Sequence, residues 1–250
     1  MAEQLEKETT NIDAELLMSS LKDDKIDQFR NEFMDLHPYD QAQFFSKLDK
    51  EYRKRIYHYL SPEDMAELFE NLELEEDEYE QLLSEMDPSY VATMLGHMYA
   101  DDAVDVLNEL DKEQVVSYLT IMDDEAAKEI KELLHYEEYT AGSIMTTEFI
   151  AIAANQTVRS AMAILKEEAP RAETIYYVYV IDEEKKLAGV ISLRDLIVSK
   201  DDTVIGEIMN DRVVCVSVGE DQEEVARMMK DYNFLALPVV DFQNHLLGII

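Results

Sequence analysis

From about Asn11 to Glu138 the apolar residues recur at helical spacing, one short stripe after another. Leu36-x-Pro38-x3-Ala42-x2-Phe45-x2-Leu48 is repeated as Leu60-x-Pro62-x3-Ala66-x2-Phe69-x2-Leu72 and as Met86-x-Pro88-x3-Ala92-x2-Leu95-x2-Met98. A degenerate copy runs through Met98, Val104, Leu107 and Leu110, with Ala100 in place of proline, and Val116, Leu119 and Met122 continue the beat. The proline copies lie 24 and 26 residues apart, with half-steps of about 12. Proline is tolerated in the first turn of a helix, where its missing N–H would have been unpaired anyway. Ser61 and Asp87 stand directly before prolines and read as N-caps, and His37 before Pro38 reads as another helix start. One short helix cannot bury its stripe alone, so these helices must stack into a small superhelix, whose hand the pattern leaves open. Met86, Met94 and Met98 fall on the stripes and read as core packing.

The period changes at Thr140-Ala141-Gly142-Ser143, which reads as a hinge. After it come β-rich runs at 149–153, 174–182, 187–193, 213–218, 235–241 and 246–250, with helical stretches at about 157–168 and 221–232. This half repeats itself, each copy reading strand, helix, strand, strand, helix. Ile144-Met145 returns as Ile208-Met209, Val180-Ile181-Asp182 as Val239-Val240-Asp241, and the LAGVIS run (187–192) as LLGII (246–250). Cys215 falls inside a strand and reads as core.

Composition narrows the function classes. An apolar fraction of 47% with 9% aromatic residues belongs to a folded chain and excludes wholesale disorder. The net charge of −34 excludes nucleic acid and anionic lipid surfaces as natural partners and favours cations or a basic protein. A single cysteine excludes an internal disulfide framework and fits a reducing compartment. No apolar run reaches the ~18 residues of a membrane span, and the first 11 residues lack the basic start and apolar stretch of a signal peptide. A soluble, cytoplasmic chain is the expectation. The charge is uneven: residues 61–140 hold 25 acids against Lys112, Lys128 and Lys131, a net −22. Such a surface is either simply solvated or responsive to a bound metal, and the density alone leaves both readings open. The five histidines are scattered without the spacing of a zinc site, and no nucleophile lies in a catalytic motif, so no enzyme activity is expected.

The paired units, with Ile-Met at entry, a valine-rich strand ending in aspartate, Leu-x-Gly-[Val/Ile]-Ile and Ser192-Leu193-Arg194-Asp195-Leu196, resemble cystathionine-β-synthase (CBS) domains. Preceded by the acidic helical repeat with HPYDQA at 37–42 and EEYTAGSIMT at 137–146, the chain resembles the cytosolic region of MgtE-family magnesium channels over nearly its whole length. The resemblance implies a multidomain fold: an all-α, solenoid-like superhelix over 1–138, then an α/β tandem CBS pair with units at 139–206 and 207–250. The second unit stops at Ile250, where the first continues into the SLRDL helix. The sequence is therefore expected to be part of a longer chain, continuing through a linker helix into a transmembrane pore domain. CBS pairs of this family also imply a homodimer.

Two candidate sites follow. Asp101 and Asp105 are four residues apart, hence on one face of a helix, and carboxylate oxygens suit Mg²⁺, which keeps several waters of its own. An ordinary acidic face, with Asp102 favouring the helix N-terminus, is the plain alternative. The resemblance implies Mg²⁺ ligation by these carboxylates and by Glu223. Where relatives can place an aspartate, Tyr232-Asn233-Phe234 offers only the neutral oxygen of Asn233. CBS pairs also imply an adenine nucleotide such as ATP, with Asp195 on the ribose, Arg194 beside it for phosphate, and Tyr177, Phe234, Ala236 and Pro238 walling the base. Asp195 as a mere helix cap is the plain reading there. The combined expectation is a Mg²⁺-sensing region in which the ion bridges the acidic helices to the CBS units and holds a closed state. A soluble nucleotide-sensing adaptor with a protein-binding solenoid is the alternative.

Overall fold

The structure, a computed structural model, describes residues 14–72, 74 and 76–250. They fall into two compact units, one comprising the chain up to Met98 with Asp105–Ala127, the other Tyr99–Val104 with Lys128–Ile250.

The first unit is helical. A helix over residues 14–22 (α1) leads to α2 (Ile26–Met34), α3 (Pro38–Ser46), α4 (Lys50–Tyr59), α5 (Pro62–Glu70), α6 (Glu76–Leu83) and α7 (Pro88–Leu95). Then come α8 (Ala100–Asn108), α9 (Lys112–Ile121) and α10 (Asp124–Leu133), of which α8 and α10 straddle the unit boundary. The three prolines are first residues of their helices, as their missing N–H groups require. His37 Nδ1 accepts from Tyr39 N–H at 3.2 Å, Ser61 Oγ accepts from Asp64 N–H at 3.1 Å, and Asp87 accepts from Ser89 N–H at 2.9 Å. Asp64 returns its carboxylate to Ser61 N–H at 3.0 Å and closes a capping box. Alternate helices α3, α5, α7 and α9 pack in series, which is how short stripes become one continuous core. Phe29, Phe33, Phe45, Ile56, Met65, Leu68, Met94 and Leu95 are fully buried there.

Side chains tie the stack across the same interval. Arg30 reaches Tyr59 O at 3.0 Å and Asp64 at 3.3 Å, Arg55 reaches Leu21 O at 2.9 Å, and Tyr90 donates to Leu60 O at 3.0 Å. The strongest tie is Arg53, whose Nη2 and Nε hold the two oxygens of Glu85 at 2.7 and 3.0 Å while Nη1 donates to Leu48 O at 2.6 Å. Tyr57 adds its hydroxyl to Glu85 at 3.0 Å, and the Glu85 side chain is 0% exposed.

The second unit carries two three-stranded sheets of one design. β1 (Ala151–Ala153) runs parallel to β2 (Tyr177–Ile181), which pairs antiparallel with β3 (Leu187–Ser192). β4 (Val216–Ser217), β5 (Pro238–Val240) and β6 (Leu246–Ile249) repeat the order, although the 213–218 run forms a strand over only two residues. α11 (Val158–Glu168) and α12 (Leu193–Val198) cover the first sheet, burying Val158, Ala161, Leu165 and Leu196 on Ile152, Val178, Val180 and Ile191. A four-residue helix, α13 (Ile205–Ile208), precedes the second copy, and α14 (Gln222–Tyr232) matches α11.

The repeats exchange their entries. Thr146 pairs with Ile249 of the second sheet, while Asn210 pairs with Val190 of the first. The preceding Met145 and Met209 lie on Gly248 and Gly189, where a Cβ would come within 2.8 and 2.6 Å of the respective sulfurs. The glycine of each Leu-x-Gly motif thus makes room for the methionine that opens the other copy.

Two expectations need correcting. Thr140–Ser143 is not a hinge: Ala141 is 0% exposed, and Ala141 N–H and Gly142 N–H donate to Glu220 O at 2.7 Å and Val218 O at 2.8 Å. The segment is a 3-10 turn (Ala141–Ser143) pinned to the second repeat, and a Cβ on Gly142 would meet the Tyr136 ring at 2.7 Å. Cys215 precedes β4 and is only half-buried, because the strand is too short to enclose it.

Glu85→Ala should destabilise the chain by about 3–5 kcal/mol, since it leaves the Arg53 guanidinium and the Tyr57 hydroxyl enclosed without their acceptor. Glu109→Ala, at an exposed position, removes the same charge and should shift stability by no more than about 0.5 kcal/mol. Urea unfolding midpoints of the two variants in EDTA check this; relief of charge repulsion alone would make both more stable.

Candidate metal and nucleotide sites

The first turn of α8 belongs to the second unit and carries Asp101 and Asp102. Its N-terminal amide is capped from a distant part of the chain: Ala100 N–H donates to Glu148 Oε1 at 3.1 Å. Glu148 Oε2 accepts from Thr147 N–H at 3.2 Å and from the Thr146 hydroxyl. Glu173 is joined to the same segment through its N–H, which donates to Glu148 O at 2.8 Å. Asp101, Glu148 and Glu173 are therefore electrostatic neighbours.

The carboxyl of Asp101 is raised above the ordinary carboxylate range, first by burial and then by the charge of Glu148, while the backbone N–H groups of Asp101 and Asp102 and the nearby Thr146 hydroxyl work in the opposite sense. Glu173 is raised by burial and by Asp101 and Glu148. Asp101 Oδ1 is buried with no hydrogen-bond partner. A carboxylate oxygen in that condition, beside two further carboxylates, suits a hard cation that takes oxygen ligands. Asp105 lies on the exposed side of α8, in the part assigned to the first unit.

Glu223 is exposed in the first turn of α14, its N–H donating to the N-cap Asp221 at 2.9 Å. Asn233 is the C-cap of that helix in the left-handed conformation, φ 54° and ψ 43°. Asparagine is among the few residues that adopt this backbone readily, a local reason for its presence that owes nothing to a metal. Among the described residues, no three His, Cys, Asp or Glu side chains are gathered as a metal-ligand group. Glu148, Glu173 and Thr146 escaped the sequence reading because they reach Asp101 through tertiary structure, with no spacing to betray them.

The nucleotide candidates sit at corresponding ends of the two sheets. Tyr177 opens β2 opposite Ser192, and Ser192 N-caps α12. Asp195 N–H donates to Ser192 Oγ at 3.1 Å, and Ser192 Oγ donates to Asp195 Oδ2 at 2.6 Å. Ser192 is thus the cap, with the Asp195 side chain bonded to its hydroxyl from the first turn, and Asp195 is exposed together with Arg194. Phe234 stacks on Tyr232 with centroids 5.3 Å apart and planes 4° apart, and Ala236 is half-buried. Pro238 is buried as the first residue of the central strand β5, the position in a strand where proline is tolerated.

The family model of the MgtE intracellular N domain matches residues 36–139, and that of the CBS domain matches 141–201 and 205–250. The chain belongs to the MgtE family. It is 56% identical over 235 residues, 94% of its length, to the magnesium transporter MgtE of Enterococcus faecalis, of which it covers 52%. Its fold superposes with a TM-score of 0.92 on the crystal structure of the soluble part of a magnesium transporter, at 54% identity and covering 96% of this chain and 94% of that one. A TM-score of 0.88 at 36% identity relates it to the cytosolic domain of the Mg²⁺ channel MgtE in complex with ATP, covering 95% and 96% of the two chains. The chain spans about half the length of the curated MgtE relatives it matches. Among its described residues no helix is long and apolar enough to cross a membrane.

The raised acids give this MgtE chain a pH signature. The folded state retains protons on Asp101 and Glu173 that the unfolded state releases, so their contribution to stability is complete below the ordinary carboxylate range of about 4 and is lost as pH rises through the raised values. Asp101→Asn removes one of these titrations. In EDTA its stability relative to the parent chain should increase from about pH 4 to about pH 7, by urea unfolding. A constant difference across that range would refute it.

Proposed function

We propose that this chain is the cytosolic Mg²⁺-sensing region of an MgtE-type magnesium channel. The observation that carries the reading is its end-to-end match to structures of the soluble and cytosolic parts of such proteins, over about half the length of the full-length relatives. On this reading the rest of the protein is a membrane-embedded pore, the chain lies on the cytoplasmic side, and two copies pair through their CBS domains. Asp101 and Asp105, with Glu223 and the neutral oxygen of Asn233, hold Mg²⁺ between the acidic helices and the CBS pair. The cation supplies charge neutralisation: a region of net −22 over 61–140 repels itself, and bound Mg²⁺ favours the compact, closed state over the open one. Several weak sites acting together make the response steep. Asp195 and Arg194, with Tyr177, Phe234, Ala236 and Pro238, take an adenine nucleotide such as ATP as a second, regulatory ligand.

Adding millimolar Mg²⁺ to the metal-free chain should reduce its radius of gyration in solution scattering, while NaCl at matched ionic strength should not. Ionic screening depends on ionic strength and not on the identity of the ion. The double substitution Asp101→Asn with Asp105→Asn should blunt the response, because two ligands go while most of the charge stays. Equal compaction by NaCl, or a normal response of the double variant, would make the acidic half a merely solvated surface.

The nucleotide reading is tested separately. Asp195→Ala should weaken ATP binding in calorimetry by about tenfold, the worth of one charged hydrogen bond, and leave the Mg²⁺ response in place. An unchanged affinity would remove Asp195 from the site.

A further inference from the structure

The neighbours of Asp101 include two residues outside the ligand set proposed above. Thr146 is a buried polar residue, 4% exposed, and its backbone is fixed by reciprocal bonds to Ile249, N–H to O at 2.8 Å and O to N–H at 3.0 Å. Its hydroxyl lies between two carboxylates. It donates to Glu148 Oε2 and is also a hydrogen-bonding neighbour of Asp101. A threonine hydroxyl has one proton to give. It goes to Glu148 Oε2, and Thr146 Oγ1 accepts in return from Glu148 N–H at 3.3 Å, while Asp101 Oδ1 close by is buried without a partner. Glu148 in turn holds the first amide of α8 through Oε1. A chain of contacts therefore runs from β6 through Thr146 and Glu148 to the helix turn that bears Asp101.

We propose that Thr146 and Glu148 are positioning residues for Asp101: Glu148 fixes the first turn of α8, and Thr146, by bonding to Glu148, holds that carboxylate in place, so that Asp101 Oδ1, which has no donor, is directed to a divalent cation. This rests on the reading of Asp101 as a Mg²⁺ ligand. The effect is one of preorganisation. A carboxylate that a hydroxyl already satisfies must give up that bond before it can bind an ion, whereas one held in place without a donor need not. Outer partners of this kind commonly govern metal affinity about 10–100-fold without touching the ion.

Calorimetric Mg²⁺ titration of the whole chain tests this, taking as signal the binding component that Asp101→Asn abolishes. Thr146→Val keeps the buried volume but has no proton to donate, so it should weaken that component about tenfold. Thr146→Ser keeps the hydroxyl and should bind like the parent chain. Glu148→Ala should weaken the component as Thr146→Val does, while Glu148→Gln, which retains an acceptor for Ala100 N–H, should recover most of it. Melting temperatures in EDTA register any loss of packing independently of the metal. Parent-like affinity in Thr146→Val and Glu148→Ala, with the Asp101→Asn loss still present, overturns the positioning role and leaves the ligand reading standing. Equal weakening in Thr146→Val and Thr146→Ser assigns the effect to packing and also overturns it. If Asp101→Asn abolishes no component, the ligand reading itself fails and the positioning role falls with it.

Discussion

Self-repulsion among carboxylates is the constraint on which the rest of this chain depends. With 56 acids against 22 bases, any compact arrangement is opposed by its own charge, and the opposition is concentrated between residues 61 and 140. The fold answers it by placing the scarce guanidinium groups where each has most effect. Arg30, Arg53 and Arg55 do not form local i,i+4 pairs as their principal contacts; they reach partners 29 to 34 residues away and join separate turns of the superhelix. Arg53 and Glu85 are enclosed, so their attraction is weakly screened, and Tyr57 and the Leu48 carbonyl occupy the remaining hydrogen-bonding groups.

The CBS half solves a different problem. Each copy contributes a separate three-stranded sheet. The two are held together by exchange: the segment leading into the first copy completes the second, and the segment between the copies completes the first. The exchange ties Thr146 to β6, and Thr146 stands beside the Glu148 carboxylate that caps α8. A short stretch, 139–148, thus serves the second sheet through its backbone and the candidate metal ligand through its side chains. This arrangement explains why Thr140–Ser143 is a buried turn even though its composition suggests a loose connection.

Among the described residues five that are not glycine hold positive φ, the first of them Asp24 in the turn between α1 and α2. Asn233 and Tyr139 hold positive φ at the end of α14 and just before the pinned turn, while Lys185 and Asn244 do so at equivalent points of the two β-hairpins. At the hairpins Leu187 N–H donates to Asn244 O at 2.9 Å and the Asn244 side-chain Nδ2 donates to Leu187 O at 3.0 Å, which clips the two copies together. Matching turns at matching positions indicate that the repeat extends to backbone conformation.

The sequence by itself determined the helices, their proline starts and their caps, because these depend on residues within a few positions of one another. It likewise determined the doubled β-rich half, since alternation and the returning Ile-Met and Leu-x-Gly motifs are local and repeated. Through those motifs it also carried the family resemblance and the candidates at Asp101, Asp105, Glu223, Asn233 and the CBS cleft. Only the tertiary structure decided that the glycines of the Leu-x-Gly motifs accommodate methionines from the opposite copy, and that the residues after Tyr139 are pinned and not hinged. It alone brought Thr146, Glu148 and Glu173 to Asp101. The physical reason is distance along the chain: a capping bond that spans 48 residues leaves no periodicity, and a buried hydroxyl between two carboxylates is defined by the packing around it.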